Sequence, residues 1–314
     1  MTIVPPDPDT PGGPPDDVVP DSEQKGLIGI LPASARPYAS LMRLDRPIGA
    51  WLLFWPGAWA VALAGLGRDG VALILWLALG AFAMRSAGCV YNDIVDRDLD
   101  RRVERTRLRP LASGRASLAG AWVLLILLSL VGLLVLFQLN RTAQTIALAS
   151  LVLVAAYPFM KRIVWWPQAW LGLVFSWAAL VGWAAVDGEI DRTAFLLYAG
   201  SICWVIGYDT IYALQDREDD ALVGVKSSAL ALGRHARLGV LGFYLLALLL
   251  WALAVWRVRP DGLALVALLP MAAHLLWQAA ALKPEDGEDA LAKFRSNRFA
   301  GFLMFMACLV VGTS

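Results

Sequence analysis

The sequence predicts an all-α integral membrane protein with nine transmembrane helices. Three observations carry that prediction. Of 314 residues, 59% are hydrophobic and only 17% charged, and a soluble domain of this size could not bury so much apolar side chain in one core. The apolar residues fall in continuous runs of about twenty, the length a helix needs to cross the hydrocarbon of a bilayer, and not in the alternation of barrel strands. The net charge is +1, which argues against a nucleic-acid partner, and Cys89, Cys203 and Cys308 sit in apolar runs, where they frame no disulfide scaffold.

Residues 1–25 alternate Pro and Asp and read as a disordered cytoplasmic tail. Without a basic stretch followed by an apolar one, this is no cleavable signal peptide. Residues 26–46 have the composition of an interfacial helix, with Arg43 and Arg46 at the membrane surface. The membrane domain is expected to run over 26–314. Its spans are predicted at Pro47–Leu66, Val71–Tyr91, Leu118–Leu139, Thr142–Met160, Pro167–Val186, Thr193–Leu214, Leu238–Trp256, Gly262–Leu282 and Phe299–Thr313, the last being short. Trp51, Trp55, Trp165 and Trp166 are expected as interfacial anchors.

Connections after the odd spans are short, and two after even spans are long, about Asn92–Ser117 and Gln215–Arg237. The even-span loops and the N-terminal segment carry 20 Lys and Arg, the odd-span loops 5. That bias places the N-terminus and the long loops in the cytoplasm and, with nine spans, the C-terminus outside. The expected location is a bacterial inner membrane.

Carboxylates continuous with membrane spans are functional candidates. After the second span, Asn92, Asp96 and Asp100 recur at i, i+4, i+8, one face of a continued helix. After the sixth, Asp209, Asp216 and Asp220 fall within about 20° of one line. Asp93, Asp98 and Asp219 are read as rim charges or supporting partners. Hard oxygen donors of this kind suit Mg²⁺, which binds one or two carboxylates and substrate phosphate oxygens. His235 and His274 are isolated, so no zinc spacing exists, and there is no glycine-rich phosphate loop. A phosphate would be held by metal and by Arg and Lys: Arg97, Arg101, Arg102, Arg105, Arg109 and Arg115 follow the first stripe, Lys226 the second, and Lys161 and Arg162 close the fourth span.

Arg85 lies inside the second span, seven residues before Asn92 and on nearly the same face. It reads as a pocket-lining cation rather than a snorkelling one. Tyr157 and Lys161 share a face at i, i+4, where a pocket and a plain helix interface fit equally. Cys89 reads as a small packing residue.

These segments resemble the UbiA superfamily of intramembrane aromatic prenyltransferases from about Leu41 to the C-terminus. The superfamily's first motif, Asn-xxx-Asp-xxx-Asp, falls on Asn92, Asp96 and Asp100, and its second, Asp-xxx-Asp, on Asp216 and Asp220. The stretch from Arg85 to Cys89 and the stretch from Tyr157 to Arg162 resemble the hydroxybenzoate branch. The resemblance implies nine helices around a central cavity, Mg²⁺, a membrane-dissolved polyprenyl diphosphate as donor and 4-hydroxybenzoate as acceptor, with the bilayer but no protein as partner. It also implies roles: Asp96, Asp216 and Arg162 in catalysis; Asn92, Arg85, Tyr157, Lys161, Arg109, Arg115 and Lys226 at the substrates; Asn92, Asp96, Asp100, Asp209, Asp216 and Asp220 at the metal. For the acceptor carboxylate, Arg85 and Arg162 both stand as candidates. Other acceptors, such as a haem, a chlorin, a naphthoate or a lipid glycerol, stay open. So does a cation transporter, although that would want its acids near the midplane on broken helices.

Overall fold

The computed structural model describes residues 25–102, 106–215, 217 and 226–313, with the side chains of 25–27, 161 and 162 excluded. The Pro/Asp tail, the centre of the second long loop and residues 103–105 lie outside the described residues. Among those described, every regular element is helical. Two short helices, α1 (Lys25–Ile30) and α2 (Arg36–Leu41), stand where one interfacial helix was expected. Pro32 interrupts the run, Pro37 sits in the first turn of α2, and Arg36 closes α1 by donating from Nε to Leu31 O (3.0 Å) and from Nη2 to Gly29 O (3.0 Å).

The long helices are α3 (Ile48–Ala64), α4 (Gly70–Asp100), α5 (Leu118–Leu136), α6 (Arg141–Ile163), α7 (Pro167–Asp187) and α8 (Arg192–Leu214). Then come α9 (Ser228–Leu232) with a 3₁₀ turn at Gly233–His235, α10 (Ala236–Val258), α11 (Gly262–Val266), α12 (Leu269–Ala281) and α13 (Gly287–Gly312). Eight helical segments are long and apolar enough to cross a membrane, counting α9 with α10 and α11 with α12, and α3 is a shorter apolar helix of 17 residues. The protein is an integral membrane protein of the helical kind.

Helix starts follow local chemistry. Asn140, Asp191, Asp261 and Asp286 each accept an amide hydrogen bond from the first turn of the helix that follows, satisfying donors that a helix leaves open. At Asp261, outside the spans, the Ala264 amide and then Arg259 hold the carboxyl below the usual carboxylate range. Pro167 opens α7, and Gly188 ends it in the left-handed conformation at φ 82°.

Two expected spans differ most from the observed helices. Helix α4 runs 31 residues and carries the first acidic motif on its last turns, so the long loop starts nearer Asp100 than Asn92. Helix α13 begins at Gly287, not Phe299. A purely apolar window stops at Lys293 and Asn297, yet both are buried against protein, Asn297 fully; polar residues are tolerated in a span when they face the bundle.

The contacts divide the chain into two compact units, Met1–Pro47 with Cys89–Leu124, and Ile48–Gly88 with Leu125–Ser314. In the second, α7 packs against α3, α6 and α8, α13 packs against α3 and α8, and α10 packs against α8. Helices α3 and α7 approach so closely that a Cβ at Gly182 would lie 2.5 Å from Gly57 O, the close approach that small residues allow between membrane helices. The centre is aromatic. Trp59, Trp204 and Trp251 are fully buried, with Trp59 ring centroids 4.9 Å from Trp204 and 5.3 Å from Trp251. Trp51 and Trp165 are exposed as anchors should be, but Trp55 is 7% exposed and belongs to this core. Its spacing alone could not distinguish a lipid-facing from a bundle-facing ring.

Candidate active site

In the first unit, the end of α4 presents three buried carboxylates: Asp93, Asp96 and Asp100 are 1%, 0% and 5% exposed. Asn92 is half-buried at their edge. The buried acidic face is therefore Asp93–Asp96–Asp100 at i, i+3, i+7, so Asp93 is not a rim charge, while its reading as a supporting partner stays open. At 100° per residue Asp93 and Asp100 are only about 20° apart, so the helical wheel already held this signal.

These acids meet arginines from either side in sequence. Arg43 Nη2 donates to Asp93 Oδ1 at 2.8 Å, and Arg109 Nη1 donates to Asp100 Oδ2 at 3.0 Å and Asp93 Oδ1 at 3.4 Å. Beside Asp93, the Arg43 guanidinium is held more firmly in its charged form, against the opposing effect of burial. Arg43 is a half-buried partner of Asp93, a pairing that sequence reasoning missed because it lies 50 residues away. Asp98 is a rim charge as expected, paired with Arg97 at 3.1 Å. Arg115 donates to Ser113 Oγ at 3.1 Å and to Leu108 O, folding its own loop. Thr106 Oγ donates to Asp100 O and closes α4.

In the second unit, Arg85 lies across the backbone of α3. A Cβ at Gly49 would stand 2.5 Å from Arg85 Nε, so glycine is what lets the guanidinium lie there. Its Cζ is 5.5 Å from the Phe175 ring centroid, a cation–π contact. Arg85 and Asp209 are within electrostatic range of each other, and Tyr208 is within range of Arg85, Asp209, Tyr157 and Tyr244. Arg85, Tyr157 and Asp209 are thus brought into one neighbourhood from α4, α6 and α8. Lys226 is tied locally instead: Nζ donates to Ile163 O at 3.3 Å and lies 5.1 Å from the Trp165 ring centroid. Asp216 and Asp220 lie outside the described residues, as do the side chains of Lys161 and Arg162 on α6.

The donor chemistry of the first acidic face fits a hard cation. Asp96 and Asp100 offer buried carboxylate oxygens and Asn92 an amide oxygen, the ligands Mg²⁺ takes while it keeps several waters. Among the described residues no group of three or more His, Cys, Asp or Glu is arranged to hold a metal by itself.

Residues 53–309 match the UbiA prenyltransferase family. The chain belongs to that family, and the transport alternative falls away with it. Among its relatives, the mitochondrial 4-hydroxybenzoate polyprenyltransferase of Drosophila melanogaster is 45% identical over 295 residues, 93% of this chain and 75% of the relative. The 4-hydroxybenzoate octaprenyltransferase of Coxiella burnetii is 38% identical over 273 residues, 87% of this chain and 95% of the relative. An apo UbiA homolog from Aeropyrum pernix K1 superposes with a TM-score of 0.69 at 25% identity, covering 83% of this chain and 97% of that one. A UbiA homolog from Archaeoglobus fulgidus, bound to GPP and Mg²⁺, has a TM-score of 0.65 at 19% identity over 88% of this chain and 99% of that one, and shares the fold.

Proposed function

We propose that this chain transfers a polyprenyl group from a polyprenyl diphosphate to the ring carbon ortho to the hydroxyl of 4-hydroxybenzoate, an early membrane step of ubiquinone biosynthesis. The observation that carries the reading is the 45% identity to a 4-hydroxybenzoate polyprenyltransferase over 93% of the chain. The reaction breaks the allylic C–O bond, the diphosphate leaves with the electron pair, the ring carbon attacks the allylic carbon, and the ring proton departs. Mg²⁺ bound at the acidic motifs would stabilise charge building on the diphosphate. Its ligands would be Asn92, Asp96 and Asp100 in one motif and Asp209, Asp216 and Asp220 in the other, with Asp96 and Asp216 the most consequential. The homolog solved with GPP and Mg²⁺ supports that choice of metal.

The chain's own cations do the remaining work. Arg109, Arg115, Lys161, Arg162 and Lys226 would neutralise the diphosphate charge the metal leaves. Arg85 would meet the acceptor carboxylate, which otherwise pays a large desolvation cost on leaving water; the Phe175 face and the α3 backbone hold the guanidinium in place. Tyr157 would wall the acceptor side. The acids and their basic loops would lie on the cytoplasmic face of a bacterial inner membrane, with the C-terminus outside, which the bias of 20 cations to 5 supports.

The test is reconstituted protein with Mg²⁺, a polyprenyl diphosphate and radiolabelled 4-hydroxybenzoate, followed by extraction of lipid-soluble label. Label in the lipid phase is expected; none from any aromatic acceptor would overturn the reading. In the same assay Arg85→Leu should raise the KM for 4-hydroxybenzoate about tenfold or more and leave that for the diphosphate nearly unchanged, whereas Arg162→Leu should weaken the diphosphate. An unchanged 4-hydroxybenzoate KM in Arg85→Leu would move the carboxylate role to Arg162.

A further inference from the structure

We propose that Asp93 is a positioning residue for this reaction: its carboxylate anchors Arg43 and Arg109, and through Arg109 it sets how Asp100 is presented. The inference rests on the function proposed above and concerns a residue that neither acidic motif contains.

Asp93 is 1% exposed. A carboxylate so deep is costly unless cations compensate it. Here two do, and both use the same oxygen: Arg43 Nη2 at 2.8 Å and Arg109 Nη1 at 3.4 Å meet Oδ1, while buried Oδ2 has no hydrogen-bond partner among the described residues. This asymmetry marks Asp93 as an anchor for guanidinium groups, since its bonding oxygen is already committed to two cations.

The second observation is the sharing of Arg109. One nitrogen, Nη1, serves both Asp93 and Asp100, the latter at 3.0 Å. The two acids stand two turns apart on nearly one line of α4, and the one Arg109 nitrogen bridges them. A divalent cation drawn to Asp100 would compete with Arg109 for that carboxylate. With Asp93 present, a displaced Arg109 stays tethered beside the face, where its planar fork suits a phosphate. Without Asp93, that tether is lost.

The third observation is the cost of the other arm. Arg43 has φ 59°, the left-handed region that a non-glycine residue rarely adopts. Its guanidinium is fixed at both ends, by Ser40 O at 3.1 Å and by Asp93. The left-handed turn is the cap that ends α2, with Leu44 N donating to Ala39 O at 3.1 Å, and it sets the base from which the Arg43 side chain reaches Asp93.

A staple that merely held the N-terminal segment would also use Arg43 and Asp93. The experiment must therefore separate positioning from stapling. Full-length protein is reconstituted as wild type, Asp93→Asn, Arg109→Gln and the double variant. The readouts are the KM for each substrate and the gain in Tm on adding Mg²⁺ with inorganic diphosphate. Asp93→Asn is expected to raise the KM for polyprenyl diphosphate about tenfold and leave that for 4-hydroxybenzoate within about twofold. It should also cut the Mg²⁺–diphosphate gain in Tm by about half. The double variant should be no worse than Arg109→Gln alone, because Asp93 acts through Arg109.

Effects that multiply in the double variant would overturn the proposal, as would equal loss for both substrates with only a lower Tm, or an unchanged diphosphate KM. If Asp93→Asn does not accumulate folded, Arg109→Lys replaces it, since a single ammonium cannot reproduce the fork, and the same split is expected. Wild-type protein that prenylates no aromatic acceptor would sink the proposed function alone. The dependence of the diphosphate-induced Tm gain on Asp93 would then still decide the positioning role.

Discussion

The first unit buries Asp93 and Asp100 against Arg43 and Arg109, whereas the second ties its interior with neutral bonds. There Trp59 Nε1 donates to Gly301 O at 2.8 Å, Trp204 Nε1 to Asn297 Oδ1 at 2.9 Å, and Tyr244 Oη to Gln278 Oε1 at 2.6 Å. Both arrangements satisfy polar groups away from water, but they differ in what they leave free to happen. A charged pair can exchange one partner for another ion and stay compensated. A neutral donor locked to a backbone or amide oxygen inside close-packed rings has nothing to exchange, and it fixes helix positions instead. The comparison marks the acidic face of the first unit as a place where ions can exchange and the aromatic centre of the second as scaffold, while Arg85, Asp209 and the pair of buried Lys293 with Asp289 give the second unit charge outside that centre.

The largest effect should come from breaking the first unit's charge without changing its shape. Asp96→Asn keeps volume but removes a hard anionic oxygen at a 0% exposed position. Turnover should fall by about a hundredfold or more, while Tm stays near wild type. EDTA should abolish wild-type turnover and Mg²⁺ restore it. Full activity of the variant, or in excess chelator, would end the assignment of binding chemistry to this face.

The second unit should answer in stability. Gly182→Leu forces a side chain into the contact with Gly57 O, and overpacking of this kind costs about 1–3 kcal/mol. The readout is thermal unfolding in detergent. An unchanged Tm would mean that the α3–α7 contact is not the close one described.

The smallest effect sharpens the same contrast. Tyr208 is 1% exposed and its hydroxyl has no hydrogen-bond partner among the described residues. A buried hydroxyl left unpaired opposes folding by about 1–3 kcal/mol, part of which the ring contacts at Trp204 and Phe294 offset. Tyr208→Phe removes the hydroxyl and keeps the ring, so Tm should hold or rise slightly. A clear fall in Tm would show that the hydroxyl does have a stabilising partner.

Composition and run length alone determined that this is a helical membrane protein, because a bilayer offers the backbone no hydrogen bonds and demands long apolar helices. They also placed most helix starts, where Asn140, Asp191 and Asp261 sit one residue before a run. The acidic motif at the end of α4 was legible as well, since helical spacing is a local property. What the sequence could not decide was which side of a helix meets protein and which meets lipid. Lys293 and Asn297 look like span breakers until their burial is seen, and Trp55 looks like an anchor until the core closes around it. Nor could spacing find Arg43 as the partner of Asp93, or Gly49 as the seat of Arg85. Those pairings join residues that are 50 and 36 positions apart in the sequence. Only packing brings them together, because side-chain direction and desolvation depend on neighbours that the local pattern does not name.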